Sequence, residues 1–112
     1  MNNSTDREQE SFPGAPKHLS ADSRALWAMV GPACGKTPGR RALLVAAFEA
    51  RDRAEECRQG IASEGLIMVT QKSGVRHLNP LAKFELEARN QFVKIWAQLG
   101  LAIPPTEYFS AI

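Results

Sequence analysis

The last third of the chain carries the clearest alternation of apolar and polar positions. Asn79 is a good N-cap, Pro80 suits the first helical position, and Gly100 supplies a left-handed stop. Between these signals apolar residues recur every three or four positions, which places them on one face of a helix. They are Leu81, Phe84, Ala88, Phe92, Ile95 and Leu99. The pattern predicts a long helix, the third of the chain, with a face that must be covered.

A second helix is predicted from Thr37, its N-cap, and Pro38, its first residue, to a stop at Gly65. Gly60 weakens its last turns. Its apolar positions alternate in spacing between four and three, as in a coiled coil, and most of them are small, which favours close approach of another helix. They are Leu43, Ala47, Ala50, Ala54, Cys57 and Ile61.

A first, shorter helix is predicted to start after Ser20, a good N-cap. Its apolar positions are Leu26, Trp27 and Val30. Gly31 and Pro32 are expected to end it, and residues 31–39, rich in glycine and proline, to form a connector.

Between the second and third helices the pattern changes to short, partly β-branched runs around a turn sequence. Residues 66–78 read LIMVT, QKSG and VRHL, which predicts a β-hairpin. An isolated two-stranded ribbon is marginal in water, so it should lean on the helices or on a neighbouring subunit. The predicted fold class is therefore mainly α, with three helices and a short hairpin between the second and the third.

Chain length favours assembly into an oligomer. A chain of 112 residues forms one domain, and a domain of this size buries only about 60 to 70% of its unfolded surface. We therefore expect a cyclic oligomer in which the two longer helices bury their stripes within and between subunits. The expected interface residues are Ala47, Ala50, Ala54, Cys57, Ile61, Phe92 and Trp96.

The two ends of the chain are predicted to lie outside this helical domain. Residues 1–18 are polar and are expected to form a disordered arm, and residues 19–100 are expected to form the helical domain that carries the oligomerisation stripes. Residues 101–112 form a tail whose Tyr108, Phe109 and Ile112 either pack back on the domain or dock a partner.

Composition indicates a soluble protein without metal. The formal net charge is +2, and the chain lacks the run of about 18 apolar residues that a membrane span needs. The N-terminus lacks the pattern of a secretory signal, so Cys34 and Cys57 are expected as free thiols in a reducing compartment. With His18 and His77 they show no paired metal-ligand spacing.

Residues 31–37, GPACGKT, look like a phosphate-binding loop but are one residue too short, and a helix rather than a strand precedes them. A plain connector is the better interpretation, and a nucleotide-dependent enzyme using this segment is a rival. Nucleophile, base and orienting acid do not occur at recognisable spacing, so we expect neither catalysis nor a cofactor.

Basic residues in three loops form a candidate contact for DNA phosphates: Lys17, Lys36, Arg40, Arg41, Lys72 and Arg76. Those at the start of the second helix coincide with free backbone amides, which favour anions. One subunit is too weakly charged for tight binding, but repetition around a ring would add avidity. The alternative is that these are ordinary solvated charges. The charged residues from Arg51 to Arg58 could likewise form ion pairs between subunits. The alternative is that they form a solvated face of the second helix.

Three segments carry a family likeness over about residues 16–105. They read PKHLSADSRALWAMV, RALLVAAFEARDRAEECRQGIASEGLIMVT and HLNPLAKFELEARNQFVKIWAQLGLAIPP. In this order, and with similar gaps, they resemble the small subunit of tailed-bacteriophage terminase, a branch also encoded by prophages.

This resemblance implies a non-enzymatic protein that forms a ring and recognises double-stranded viral DNA. It also implies a partner, the large terminase subunit, whose ATPase and nuclease it regulates during genome packaging in the cytoplasm of an infected or lysogenic bacterial host. A helix-turn-helix of the standard kind that reads the major groove is not recognisable in the sequence. A helical protein-interaction adaptor without nucleic-acid binding is the main alternative.

Overall fold

The computed structural model describes residues 12–101 and shows three helices with a two-stranded antiparallel hairpin. The elements are α1 (Ala21–Cys34), α2 (Pro38–Glu64), β1 (Ile67–Val69), β2 (Arg76–Leu78) and α3 (Pro80–Gln98). The predicted mainly helical class, with the hairpin between the second and third helices, is confirmed. The predicted tail beyond residue 101, and residues 1–11 of the predicted arm, lie outside the described residues.

Helix starts follow the predicted capping residues. The Ser20 hydroxyl accepts from the Ser23 amide at 3.1 Å, and the Thr37 hydroxyl accepts from the Arg40 amide at 3.2 Å. The Asn79 side chain caps α3 by accepting from the Leu81 amide at 3.0 Å. These bonds satisfy amides that have no partner within the first helical turn, so each start is specified locally.

Helix α1 is one turn longer than predicted, because Gly31 and Pro32 lie inside it. Its last turn holds Cys34, which is buried in the core, and the Gly35 amide donates to the Gly31 carbonyl at 2.7 Å. Packing of this turn thus outweighs the helix-breaking tendency of the Gly-Pro pair. The connector to α2 is reduced to residues 35–37.

The last residues of the predicted arm pack on α1 instead of extending into solvent. The Phe12 ring lies 5.9 Å from the Trp27 ring, and the Trp27 indole donates to the Pro13 carbonyl at 2.9 Å. A Cβ on Gly31 would lie only 2.5 Å from Phe12, so the absence of a side chain there makes room for this ring. The folded domain therefore begins by residue 12 rather than residue 19.

Helices α2 and α3 pack antiparallel along most of their length. Phe48 meets Trp96 edge to face with ring centroids 6.2 Å apart, and the Arg53 guanidinium donates to the Gln91 side chain at 3.0 Å. Nearer the hairpin, Leu81 lies so close to α2 that a Cβ on Gly60 would come within 2.5 Å of it. The contacts advance in opposite directions along the two helices, which is the geometry of an antiparallel pair.

The predicted oligomer interface has to be corrected. Five of its seven residues are at most 1% exposed within a single chain: Ala47, Ala50, Ala54, Phe92 and Trp96. They close the seam between α2 and α3, so they have no surface left for a second copy. Cys57 and Ile61 are half-buried. For these two residues, and for the cyclic assembly itself, the prediction stays open.

A polar network fixes the start of α1 against the middle of α2. One Asp52 carboxylate oxygen accepts from the Ser20 amide at 2.7 Å. The other oxygen accepts from the Ser20 and Ser23 hydroxyls at 2.7 and 2.6 Å. The buried Arg51 guanidinium donates to the Ser23 hydroxyl at 3.3 Å and lies 3.8 Å from Asp52. Asp52 thus acts as a second cap for α1, supplied by another helix.

Both interpretations of the charges between Arg51 and Arg58 need correction. Arg51 is 4% exposed, so it is neither a solvated charge nor an intersubunit contact. Arg58 pairs with Glu55 one turn earlier at 3.2 Å, and Arg53 contacts α3 of the same chain. Of the charged residues in this segment, Arg53 and Glu56 are exposed. The segment therefore serves mainly the fold of its own chain.

We expect Asp52→Ala to lower the free energy of unfolding by about 2–4 kcal/mol, because it removes three accepted hydrogen bonds and the carboxylate beside a buried guanidinium. Urea denaturation followed by circular dichroism measures the change. The control is Glu56→Ala, which removes an exposed carboxylate one helical turn later and should change stability by less than about 0.5 kcal/mol. Equal stability of the two variants would contradict the network's structural role.

Candidate nucleic-acid interface

The six predicted DNA contacts are spread along the molecule. Helix α2 has 27 residues, which corresponds to about 40 Å. Lys36 precedes its first residue, whereas Lys72 and Arg76 belong to the hairpin after its last residue. Lys17 lies near the middle, because the adjacent His18 contacts Glu49 at 2.8 Å. The three basic loops therefore do not converge on one small surface of a single subunit.

Arg40 serves the fold instead of facing a phosphate. Its Nε donates to the Cys34 carbonyl and its Nη2 to the Leu99 carbonyl, both at 2.5 Å. One guanidinium thus joins the C-terminal ends of α1 and α3, where free carbonyls and the negative end of the helix dipole favour a cation. Arg41 adds one longer bond, from Nη1 to the Gly35 carbonyl at 3.3 Å. The assignment of Arg40 as a DNA contact is therefore replaced by a structural role.

The residue next to Lys17 lies beside an acidic depression. His18 faces Glu49, and a shallow depression beside it is lined by Ser20, Asp52, Glu55, Glu56 and Gln59. Two of these carboxylates are paired within the chain, Asp52 with Arg51 and Glu55 with Arg58, so Glu56 contributes most of the negative charge of the depression.

The segment that resembles a phosphate-binding loop has helical geometry over its first half. Gly31–Cys34 form the last turn of α1, and the Gly35 amide is bonded to the Gly31 carbonyl. A phosphate-binding loop needs successive amides that point at the ligand. Here they point along the helix axis, and the Lys36 side chain is exposed on the short connector.

The hairpin differs from the helices in its charge. Lys72 lies in its loop, and Arg76 and His77 lie on β2. Residues 66–78 contain neither Asp nor Glu, and all except Met68 are exposed. Gly74, with φ +70°, closes the loop by donating its amide to the Thr70 carbonyl at 2.7 Å. Among the predicted contacts, Lys72 and Arg76 therefore lie on an exposed segment that has no carboxylate of its own.

One face of the hairpin is apolar and open. Ile67 lies opposite Leu78 and Val69 opposite Arg76, and cross-strand partners share a face. The three apolar members of this face are 49–55% exposed. On the other face Met68, opposite His77, is half-buried. The expected packing of the ribbon on the helices is thus limited mainly to Met68.

Asn79 fixes the base of the hairpin on α2. Its amide donates to the Leu66 carbonyl at 2.7 Å, and its side-chain Nδ2 donates to the Gly65 carbonyl at 2.9 Å. The residue is 1% exposed. A side chain predicted only as a helix cap therefore also ties the end of α2 to the start of α3, which holds a short ribbon in one place.

Both cysteines are free thiols, as predicted. Burial raises the pKa of Cys34. Burial, and then the nearby carboxylates of Glu56 and Glu85, raise the pKa of Cys57. Cys57 lies in a groove between α2 and α3 whose walls include Phe84 and Ala88. A raised pKa keeps these thiols protonated and poorly nucleophilic near neutral pH.

Within residues 12–101, groups of three or more His, Cys, Asp or Glu side chains do not come together to hold a metal ion. In the same part of the chain none of the helices combines the length and apolar character needed to cross a membrane.

No protein-family model matches the chain, and no curated protein or solved structure is significantly similar to it. The candidate site is therefore described from the structure alone, as a basic hairpin without acidic residues on a three-helix domain.

Neither the Asp52 network nor the double role of Asn79 was predicted from the sequence. A signal for the first was present, because Arg51 follows Ala47 by four residues and so falls on the apolar face of the second helix. A charged residue on the apolar face of a helix indicates a buried group that has a partner.

We expect Arg40→Ala to lower the free energy of unfolding by about 2–3 kcal/mol, because two charged hydrogen bonds between helix ends are lost. Arg40→Lys should be destabilising too, since one ammonium group cannot reproduce the planar fork. The matched control is Arg41→Ala, with the same change in charge and an expected loss below about 1 kcal/mol. Thermal denaturation of the three variants tests this, and a larger loss for Arg41→Ala would contradict it.

We expect Cys57 to be alkylated before Cys34 in the folded protein, because Cys34 is the more buried thiol. Only the thiolate reacts, so a raised pKa makes the reaction slow at pH 7 and about tenfold faster for each pH unit gained up to that pKa. Iodoacetamide labelling followed by mass spectrometry measures both rates. In denaturant the two residues should react alike. Rapid labelling of Cys57 at pH 7 would contradict the raised pKa.

Proposed function

We propose that this chain is a non-catalytic small terminase subunit that binds double-stranded DNA through its β-hairpin and acts as a homo-oligomer. The proposal rests on the exposed hairpin, which holds Lys72, Arg76 and His77 and lacks any acidic residue. The resemblance to the small subunit of tailed-bacteriophage terminase supports the kind of DNA and the role.

Charge pairing of three helical arginines supports the hairpin as the contact. On the helices, Arg51 lies beside Asp52, Arg58 pairs with Glu55 and Arg89 pairs with Glu85. Such pairs reduce the attraction of a guanidinium for phosphate. The positive potential of Lys72 and Arg76 is not offset by an acid within the ribbon, so an anionic polymer is attracted there.

The mixed character of the hairpin suits a duplex groove. A two-stranded ribbon fits the major groove, and apolar side chains contact sugars and bases where a protein enters the minor groove. Val69 and Arg76 lie side by side on the exposed face. That pair supplies one apolar contact and one phosphate or base-edge contact at the same position along the ribbon.

Repetition compensates for the small charge of one copy. Two full positive charges on one hairpin give weak, salt-sensitive binding, and several hairpins on one duplex multiply it through effective concentration. For this purpose we propose a ring in which the half-buried Cys57 and Ile61 take part in the contact between neighbouring subunits. The large terminase subunit, which carries ATPase and nuclease, is the proposed partner that the ring regulates.

The hairpin contact is tested with Arg76→Ala against Arg24→Ala, two exposed arginines whose removal changes net charge equally. Fluorescence anisotropy on a duplex, at several salt concentrations, gives the affinity and its slope against salt. We expect Arg76→Ala to weaken binding and to reduce the salt slope by about one for each hairpin engaged. Arg24→Ala should leave both values unchanged. Equal effects of the two substitutions would overturn the hairpin as the interface.

The open apolar face favours a second candidate function, a protein-interaction adaptor without nucleic-acid binding. Ile67, Val69 and Leu78 form a surface that fits a protein partner as well as a groove. Salt-sensitive duplex binding by the unaltered chain separates the two candidates. Its absence over the whole salt series would leave the adaptor as the proposed function.

A further inference from the structure

Helix α3 carries a second stripe of residues on its outer face, almost opposite the face that packs in the core. The core-facing residues of α3 are Ala88, Phe92, Ile95 and Trp96. The outer stripe consists of Leu86, Asn90, Val93 and Ala97, spaced four, three and four residues apart. This is the spacing of a coiled-coil seam, with an asparagine at a central position, where such a residue specifies register.

The outer stripe is open to solvent. Leu86 is 59% and Val93 41% exposed, and Asn90 and Ala97 are exposed as well. Glu87 and Lys94 line one edge of the stripe and are both exposed. The other edge is formed by Arg89, which pairs with Glu85 of its own helix.

We propose that this stripe binds a second copy of the same chain, with the two α3 helices antiparallel about a two-fold axis between residues 91 and 92. In an antiparallel pair of helices the two kinds of seam position face each other, so positions whose numbers add up to about 183 meet. Leu86 of one copy then packs against Ala97 of the other, and Val93 packs against Asn90, each twice over.

Charges on the edge of the stripe fit the same axis. A two-fold axis across the helices brings each edge against the same edge of the second copy. Glu87 of one copy then lies beside Lys94 of the other, and the reciprocal pair forms at the other end. One sequence thus complements itself along this contact.

A parallel arrangement lacks this complementarity. In a parallel pair of helices, a residue on one edge meets the residue five positions later on the facing edge of the second copy. That rule brings Arg89 against Lys94 on both sides of the contact, so like charges meet twice. The charge pattern of one short segment therefore selects the antiparallel orientation.

The contact is independent of the proposed DNA binding and differs from a ring contact. An isologous contact stops at two copies, so it forms a dimer or joins two rings but does not itself close a ring. About three helical turns on each side make an area below the roughly 800 Å² per partner of standard interfaces, so the association is expected to be weak and concentration-dependent.

The experiment uses two charge reversals, Glu87→Lys and Lys94→Glu, and sedimentation velocity over a concentration series. Each single variant turns two attractive pairs into repulsive ones, so self-association should weaken by about tenfold or more. The double variant exchanges the two charges and should associate within about threefold of the unaltered chain, since its pairs are attractive again.

Mixing the two single variants gives the sharpest readout. The Glu87→Lys chain and the Lys94→Glu chain each repel their own kind, yet both edge pairs become attractive in an antiparallel heteromer of the two. We expect native mass spectrometry of the equimolar mixture to show the mixed species in excess of either self-associated variant. A mixture without this excess, or single variants that associate like the unaltered chain, would overturn the proposal.

Two further variants test whether association depends on the stripe or on any exposed apolar side chain. Val93→Ser removes one member of the stripe and should abolish association at concentrations where the unaltered chain pairs. Phe84→Ser removes a side chain of similar exposure, 52%, that lies off the stripe, and should leave association unchanged. Circular dichroism checks that each variant keeps its helices. Duplex binding measured on the same samples shows whether DNA recognition stands or fails separately, because Arg76 lies on the hairpin.

Discussion

Close antiparallel packing of α2 and α3 sets the position of every other element in this molecule. Ala47, Ala50 and Ala54 offer no side chain beyond Cβ, so the helices can approach, and the aromatic rings of Phe92 and Trp96 fill the space between them. Dense packing of this kind leaves no freedom to slide one helix along the other. The ends of both helices, and therefore the hairpin and the connector, are placed by this seam.

Polar side chains then attach α1 to the helix pair at both of its ends. Asp52 holds the start of α1 through the Ser20 amide and two hydroxyls, and Arg40 holds its end together with the end of α3. Hydrogen bonds depend strongly on direction, so these contacts fix the orientation of α1 as well as adding stability. The residues that resemble functional charges in the sequence are in these two cases part of the fold.

What remains on the surface divides into two kinds of contact. The hairpin combines positive charge with an open apolar face, whereas the outer face of α3 combines a narrow apolar stripe with charges of both signs on one edge. A surface of a single sign of charge suits a polyanion, and a surface of alternating sign suits a copy of itself. The two proposals assign these surfaces to DNA and to a second copy, and they draw on separate residues.

Features that depend on neighbouring residues were predictable from the order of amino acids alone. The caps at Ser20, Thr37 and Asn79, the left-handed Gly100 and the hairpin all act within a few positions, so their signals survive without knowledge of the fold. The class of fold follows from them. The predicted apolar faces of the helices were also correct, with the exception of Phe84, which the structure leaves half exposed.

The residues that cover each apolar face, and the groups that each charge contacts, were decided by the packing of the whole chain. The alanine-rich seam has the same spacing whether its partner is another subunit or α3 of the same chain, because periodicity defines a face and not its neighbour. Likewise, an arginine at a helix start can meet a phosphate or, as Arg40 does, a carbonyl 59 residues away in the chain. Contacts between residues far apart in sequence carry the decisive free energy in each case, and local pattern does not encode them.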